Sequence, residues 1–330
     1  MSKQMIPVTD GSRYIPYEMR SGNESIVYFT RDLSAEGLLK VYDKVSACLS
    51  GKIGIKLHTG EPEGPNIIPR PWVKELIQER LPEATILETN TYYKGQRYTT
   101  EQHRKTLEIN GWDFAPVDIM DEEGTEMYPV SGGKWFTEMS VGDHMKNYDS
   151  MLTLTHFKGH TMGGFGGSNK NIGIGCADGR IGKGMIHASK GNDWGTVNEE
   201  LMEKIAESTK ATIDHCGKNV TYINVMRNMS VSCDCEGVGA QPVVTPNVGI
   251  LGSTDILAID QACIDLVFAM EEKDNAAFTE RVTTRHGLRQ LTYMKELGMG
   301  NDRYVLIDLD NDEVRICAKD AVKHVVPFEG

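Results

Sequence analysis

Apolar positions along the chain recur with two periods, and the switches between them mark out alternating strands and helices. Residues 25–30, rich in Ile26, Val27, Tyr28 and Phe29, read as a strand. Ser34 then caps a helix whose apolar positions Leu38, Leu39, Tyr42, Val45 and Leu49 keep helical spacing. Residues 52–57 alternate as a second strand and run into a small polar loop of His58, Thr59, Gly60 and Glu61. Pro69 and Pro71 open the next helix, where a missing N–H costs nothing in the first turn; Trp72, Val73, Leu76, Ile77 and Leu81 form its apolar side. Residues 84–89 are a strand ending in a polar loop over 90–97. Thr99 and Gln102 resemble a capping box opening a helix that closes at Gly111, and residues 116–120 give a further strand.

From 121 to 148 the pattern is mixed, as in a short hairpin or excursion. A buried strand over 151–155 leads into a glycine-rich loop over 156–176. Residues 194–216 keep helical spacing through Trp194, Val197, Leu201, Ile205 and Ala206. Strands follow at 220–225 and 248–251, and Asp255 stands where it would cap a helix carrying Leu257, Ala258, Ala262, Leu266 and Val267. Residues 287–297 form one more helix, ended by Gly298. Residues 304–307 and 314–317 close the chain as an antiparallel pair. The sum is an α/β protein: a largely parallel sheet flanked by helices, with a C-terminal β-hairpin. An N-terminal arm over 1–24 precedes an α/β domain over 25–330, and a division near 120 would separate two lobes.

The polar loops stand after strands, where α/β folds bind ligands. The stretch over 156–176 is the densest in chemistry. Gly163, Gly164, Gly166 and Gly167 allow close backbone approach to a ligand, and Lys158, Lys170 and Asn171 add donors for a phosphate or carboxylate. Lys170 could neutralise that anion or bond a cofactor covalently. His160 and His187 suit general acid–base work or metal binding near neutral pH. His58 and Arg97, on two other strand-end loops, are candidate ligand contacts. The plain alternative is a tightly packed crossover with hydrogen-bonded histidines. Spacing for a standard dinucleotide or ATP loop is absent.

Cys233 and Cys235 suit a metal or an iron–sulfur cluster, with Cys176 as third ligand and Cys216 or a non-cysteine group as fourth. Zinc is the alternative metal. Buried thiols or a labile redox pair would explain the same spacing. Cys48, Cys263 and Cys317 read as core residues.

Composition adds limits. A net charge of −12 argues against non-specific binding to nucleic acid or to an anionic membrane surface. Charges and prolines in residues 1–22 interrupt any secretory signal, no run approaches a membrane span, and seven cysteines in such a chain read as thiols or metal ligands. The expected location is the cytoplasm, and the polar arm leaves a homodimer open.

The ordered motifs Val27 to Thr30, Ile55 to Glu61, His156 to His160, Gly163 to Asn171, Cys233 to Cys235 and Asp255 to Asp265 resemble the iron–sulfur centre proteins of the domain-of-unknown-function 362 family over about residues 25 to 270. The resemblance implies an iron–sulfur cluster. The ferredoxin-type cysteine insert of many relatives is missing, since residues 188–232 hold only Cys216, so a cluster here would use scattered cysteines. A more distant resemblance is to the lactate racemase family, matched in order by His160, Gly166, Gly167, Lys170 and His187. It implies a nickel-pincer-type nucleotide anchored at Lys170. That family's loop histidine has no clear counterpart, Tyr92 or Tyr93 falling near its place.

The functional expectation is an iron–sulfur or metal-dependent redox protein that binds a small anionic ligand and exchanges electrons with a partner protein. A racemase or isomerase in which His160 and His187 exchange the substrate proton, and a non-enzymatic cluster carrier, are the alternatives.

Overall fold

The computed structural model describes residues 10–325. Nine strands form one sheet: β1 (Glu24–Thr30), β2 (Ile53–Lys56), β3 (Thr85–Glu88), β4 (Val117–Ile119), β7 (Ser150–His156), β10 (Val220–Met226), β11 (Gly249–Ser253), β12 (Arg303–Asp308) and β13 (Val314–Ile316). Two small antiparallel pairs lie outside it, β5 (Thr125–Pro129) with β6 (Glu138–Gly142), and β8 (Lys158–His160) with β9 (Gly164–Gly166). The helices are α1 (Ala35–Val45), α2 (Arg70–Arg80), α3 (Thr100–Ile109), α4 (Ser168–Gly175), α5 (Gly182–His187), α6 (Asn198–Cys216), α7 (Ile256–Ala269), α8 (Glu272–Thr284), α9 (Arg289–Glu296) and α10 (Ala318–Ala321).

The sheet order is β13-β12-β1-β11-β10-β7-β2-β3-β4. From β10 to β4 every neighbour is parallel, while β11 runs against both β10 and β1. The α/β class, the mostly parallel sheet and the C-terminal hairpin therefore stand, and β12 of that hairpin also pairs in parallel with β1, placing Val27 opposite Leu306.

Side-chain alternation divides the core into two layers. Leu152, Leu154, Ile223 and Val225 face Leu38, Val41, Leu76 and Ile77 of α1 and α2. Met151, Val220 and Tyr222 face the other way, toward Leu201, Ile205, Leu257 and Ala258 of α6 and α7. Every residue of β7 and β10 is buried, as expected for central strands covered on both faces. Gly252 lets α1 rest directly on β11: a Cβ there would stand 2.4 Å from Val41 Cγ1.

Local signals worked where caps were explicit. Ser34, Thr99 and Asp255 each accept a hydrogen bond from a backbone amide at the start of their helices. They failed where glycine diluted the period. The stretch over 156–176 is a strand pair followed by the two-turn α4, and α5 and α8 were not anticipated. The helix expected from 194 starts at Asn198, because a turn over 189–195 precedes it. Cys317 is exposed and Cys48 half-buried, so neither is core.

The described part of the N-terminal arm packs on the body. Arg20 reaches both oxygens of buried Asp265 at 2.7 and 2.6 Å, and the hydroxyls of Tyr14 and Tyr304 donate to the same carboxylate at 2.8 and 2.7 Å. Among the described residues no helix is long and apolar enough to cross a membrane. Removing one partner of a buried ion pair exposes the full desolvation cost of the other, so Asp265→Ala should lower the unfolding free energy by about 3–5 kcal/mol. Urea denaturation checks this as an earlier midpoint; an unchanged midpoint would contradict it.

Candidate functional site

A cavity of about 1110 Å³, its open mouth included, lies at the C-terminal ends of β2, β3 and β7. Lys56 and His58 enter it from β2, Glu88 and Thr89 from β3, Thr155, His156 and Lys158 from β7 and β8. Lys170 and Asn171 come from α4, Lys183 and His187 from α5, and Cys233 and Cys235 from the connection after β10. This is where the crossovers of a parallel sheet leave room for a ligand.

The cysteine corner is built by the residue between the thiols. Asp234 is buried and bonds His156 Nδ1 at 2.8 Å and Lys158 Nζ at 3.2 Å, while His156 Nε2 faces the Arg227 carbonyl at 2.7 Å. These contacts tie the cysteine segment to the end of β7. Glu236 accepts from the Cys233 amide at 3.0 Å and closes a capping box around a short turn. Asp234 and Glu236 are thus anchors of the loop.

Both thiols face the cavity, and His160 completes the corner: its ring nitrogen and the two sulfurs lie within 4.8 Å of one another. Lys170 Nζ stands 3.9 Å from the Cys233 sulfur. A hydrogen bond from the Cys235 thiol, opposed by burial and joined by the charges of Lys170 and His160, holds the Cys233 thiol well below its usual range. Cys235 is raised by the same bond and by burial. The bond between the thiols thus favours negative charge on Cys233 over Cys235.

The floor is a network of compensated charges. Glu88 accepts from Lys56 Nζ at 3.0 Å and from the amide and hydroxyl of Thr59 at 2.8 Å, with Arg97 3.6 Å away. Burial raises the Glu88 carboxyl, but Lys56, His58 and Arg97 outweigh it and hold it well below the usual range. Arg97 also pairs with Glu61 at 2.8 Å. Lys183 gives its protons to the Thr89 hydroxyl and the carbonyls of Asn90 and Ala177, and burial lowers it to about 8.

Two buried imidazole nitrogens in this cavity, His58 Nε2 and His187 Nδ1, have no hydrogen-bond partner among the described residues. His58 Nδ1 is 3.6 Å from Glu88, and burial together with Arg97 keeps the ring below its usual pKa. Burial, His160 and Lys170 lower His187 to about 3. His160 is committed differently: its Nδ1 accepts from the Gly163 and Met162 amides at 2.7 and 3.3 Å.

The amides expected to cradle an anion are partly spent inside the protein. Asp260 accepts from the Ser168 and Asn169 amides at 2.8 and 2.9 Å, occupying the start of α4, and a Cβ at Gly167 would stand 2.4 Å from its Oδ1. Gly163 and Gly164 do not line the cavity. Gly163 accepts at its carbonyl from Gln290, and Gly164 has φ +76° where β9 begins. Gly166 and Gly167 do line it, and Asn171 ties α4 to the carbonyls of Leu154 and Lys56.

Of the metal candidates, Cys176 lies apart from Cys233 and Cys235. It ends α4 within the core, where burial pushes its thiol up to about 11, and it lies outside both the cavity and the cysteine corner. Cys216 is likewise core and raised to about 12, by burial first and then by Cys176. His160, not Cys176, stands beside Cys233 and Cys235. Lys56 and Glu88 also belong to the site, and the sequence signal for each is a charged residue inside an otherwise apolar strand.

Strand ends, a thiol–imidazole corner whose donors could hold a metal ion, and a lysine-rich cavity meet in one α/β protein. A family model described as Domain of unknown function (DUF362) matches residues 53–265, more than half of the 330-residue chain, and the chain belongs to that family. No curated protein matches it. Among solved structures it is similar to the lactate racemase apoprotein from Thermoanaerobacterium thermosaccharolyticum, at 10% identity and a TM-score of 0.40, covering 90% of this chain and 85% of that one. It is also similar to a Thermotoga maritima protein at 15% identity and a TM-score of 0.37, covering 58% and 49%.

Iodoacetamide at pH 6.5 should alkylate Cys233 ahead of Cys235, Cys176 and Cys216, because the thiolate is the reacting form. Peptide mass spectrometry reads the order, and Lys170→Met should slow the Cys233 reaction severalfold. Equal labelling of Cys233 and Cys176 would contradict the assignment.

Proposed function

We propose that this chain is a metal-dependent enzyme that binds one metal ion on Cys233, Cys235 and His160 and acts on an anionic ligand in the adjoining cavity. The observation that carries the reading is the convergence of those three donors within 4.8 Å, at the wall of the cavity. Donors sharing one tetrahedral ion at metal–ligand distances of about 2.0–2.3 Å stand about 3.5–4 Å apart, so a small contraction suffices. With Nδ1 held by amides, Nε2 is the His160 nitrogen that reaches the sulfurs. Metal held on Nε2 would require the ring proton to leave to solvent, with the Gly163 and Met162 amides on Nδ1 stabilising the anionic ring.

Three protein ligands facing a cavity are the pattern of a catalytic zinc or iron site with a position left for substrate. Bound metal would supply Lewis acidity or, with iron, a redox couple with an electron-transfer partner. A cluster on four thiolates is less well served, since Cys176 and Cys216 lie in the core. All seven cysteines are free thiols, in keeping with work in the cytoplasm.

The chain's own charges favour an anion. Lys56, Arg97 and Lys158 are matched by Glu88, Glu61 and Asp234, whereas Lys170 and Lys183 have no carboxylate within ion-pair distance among the described residues. Lys170 is the half-exposed one and would meet the ligand. His58 and His187, each with an open nitrogen, would accept or donate its proton.

Those open nitrogens also favour a second reading, an isomerase with a cofactor joined to Lys170. In it the proton-exchanging pair is His58 and His187, because His160 is engaged with Cys233. An unmodified Lys170 in catalytically active protein, read by mass spectrometry, would exclude that reading.

The metal reading predicts one equivalent of zinc or cobalt(II) bound by the reduced protein. Cys233→Ser and Cys235→Ser should each weaken binding at least tenfold, while Cys176→Ser leaves it unchanged. Isothermal titration measures this; retained affinity in both corner variants would refute the site.

A further inference from the structure

We propose that the ligand is an amphipathic anion, an acid carried on a sizeable apolar or planar body, and not a small hydroxy acid. The inference rests on the reading of the cavity as an anion site. It deepens that reading by assigning the wall beside Lys170.

The wall is apolar and continuous with the charge. On α4, Lys170 and Ile174 are one turn apart, so both project from one helix face into the cavity. On α6, Leu201 and Ile205 repeat that spacing and also line it. The anion at Lys170 would therefore extend over an aliphatic surface.

An aromatic group continues that surface to the mouth. Tyr92 stacks near-parallel to His187 at 6.2 Å between ring centroids, and Trp194 lies 5.2 Å from Tyr92 and 4.7 Å from His187. The loop bearing Trp194 is held in place: the Thr196 amide donates to the His187 carbonyl at 3.0 Å, and Lys204 Nζ bonds the Ala188 carbonyl at 3.0 Å and the Thr196 hydroxyl at 3.2 Å. Trp194 nevertheless stays 41% exposed, an indole edge that a flat ligand could cover.

An apolar body laid along Ile174, Leu201 and Ile205 leaves water for aliphatic contact. Each buried methylene should raise affinity about fourfold.

The test is isothermal titration of the full chain, with and without zinc, using acetate, hexanoate, 2-naphthoate, 2-naphthyl phosphate and 2-naphthylmethanol. Hexanoate and at least one naphthyl anion should bind at least tenfold more tightly than acetate, the alcohol should not bind, and the stronger naphthyl anion distinguishes carboxylate from phosphate. Trp194→Ala should cut the naphthyl-to-acetate affinity ratio at least fivefold and Trp194→Phe restore part of it, while Lys170→Met should weaken every anion. Equal affinity for acetate and the naphthyl anions, a ratio unchanged in Trp194→Ala, or no anion bound at all would overturn the proposal. Zinc binding without a preference for apolar bodies would sink this inference alone. The preference without zinc binding would sink only the metal reading.

Discussion

The site depends on a carboxylate placed between two cysteines. Asp234 is buried with His156 and Lys158, and a charge in that position survives only where it is paired and hydrogen-bonded. Because both partners belong to the end of β7 and the start of β8, the pairing fixes Cys233 and Cys235 against the strand that also leads to His160. Without the pairing the segment keeps the Glu236 capping box and the hydrogen bonds of Glu236 to Thr161 and Ser232, but loses its tie to the end of β7. The corner is thus assembled by electrostatics at its centre, with the thiols as the consequence.

Two other buried carboxylates complete the logic. Glu88 balances Lys56 and faces Arg97 and His58 across the floor, and Asp260 satisfies the first amides of α4 from behind. Asp260 takes from the glycine-rich segment its most obvious capacity to bind an anion. What remains for a ligand is side-chain chemistry: Lys170 beside the Cys233 sulfur, and imidazole nitrogens of His58 and His187 without a partner among the described residues. Lys170 and Lys183, the cavity lysines without a carboxylate in ion-pair distance among the described residues, are the side chains such a cavity can devote to an anion.

The strand–helix alternation was legible because Ile, Val and Leu repeat cleanly and Ser34, Thr99 and Asp255 announce helix starts. Strand-end loops could be singled out by composition, and His160, Lys170, His187, His58 and Arg97 do meet in one cavity. The partner of the Cys233 and Cys235 pair could not be read, because His160 precedes Cys233 by over seventy residues and only the fold joins them. Cys176 looked equivalent by residue type, yet the end of α4 turns it into the core. Glycine concealed α4 in the same way: Gly173 packs against α6, where a Cβ would stand 2.5 Å from the Ile205 carbonyl, so the residue that permits the packing also erases the apolar period.

X-ray absorption at the edge of the metal retained by anaerobically purified protein tests the central claim most directly. The account predicts two sulfur neighbours at about 2.3 Å and one nitrogen at about 2.0–2.1 Å, with any further neighbour a light atom. Four sulfur neighbours with a second iron nearby, or a shell of light atoms only, would contradict it.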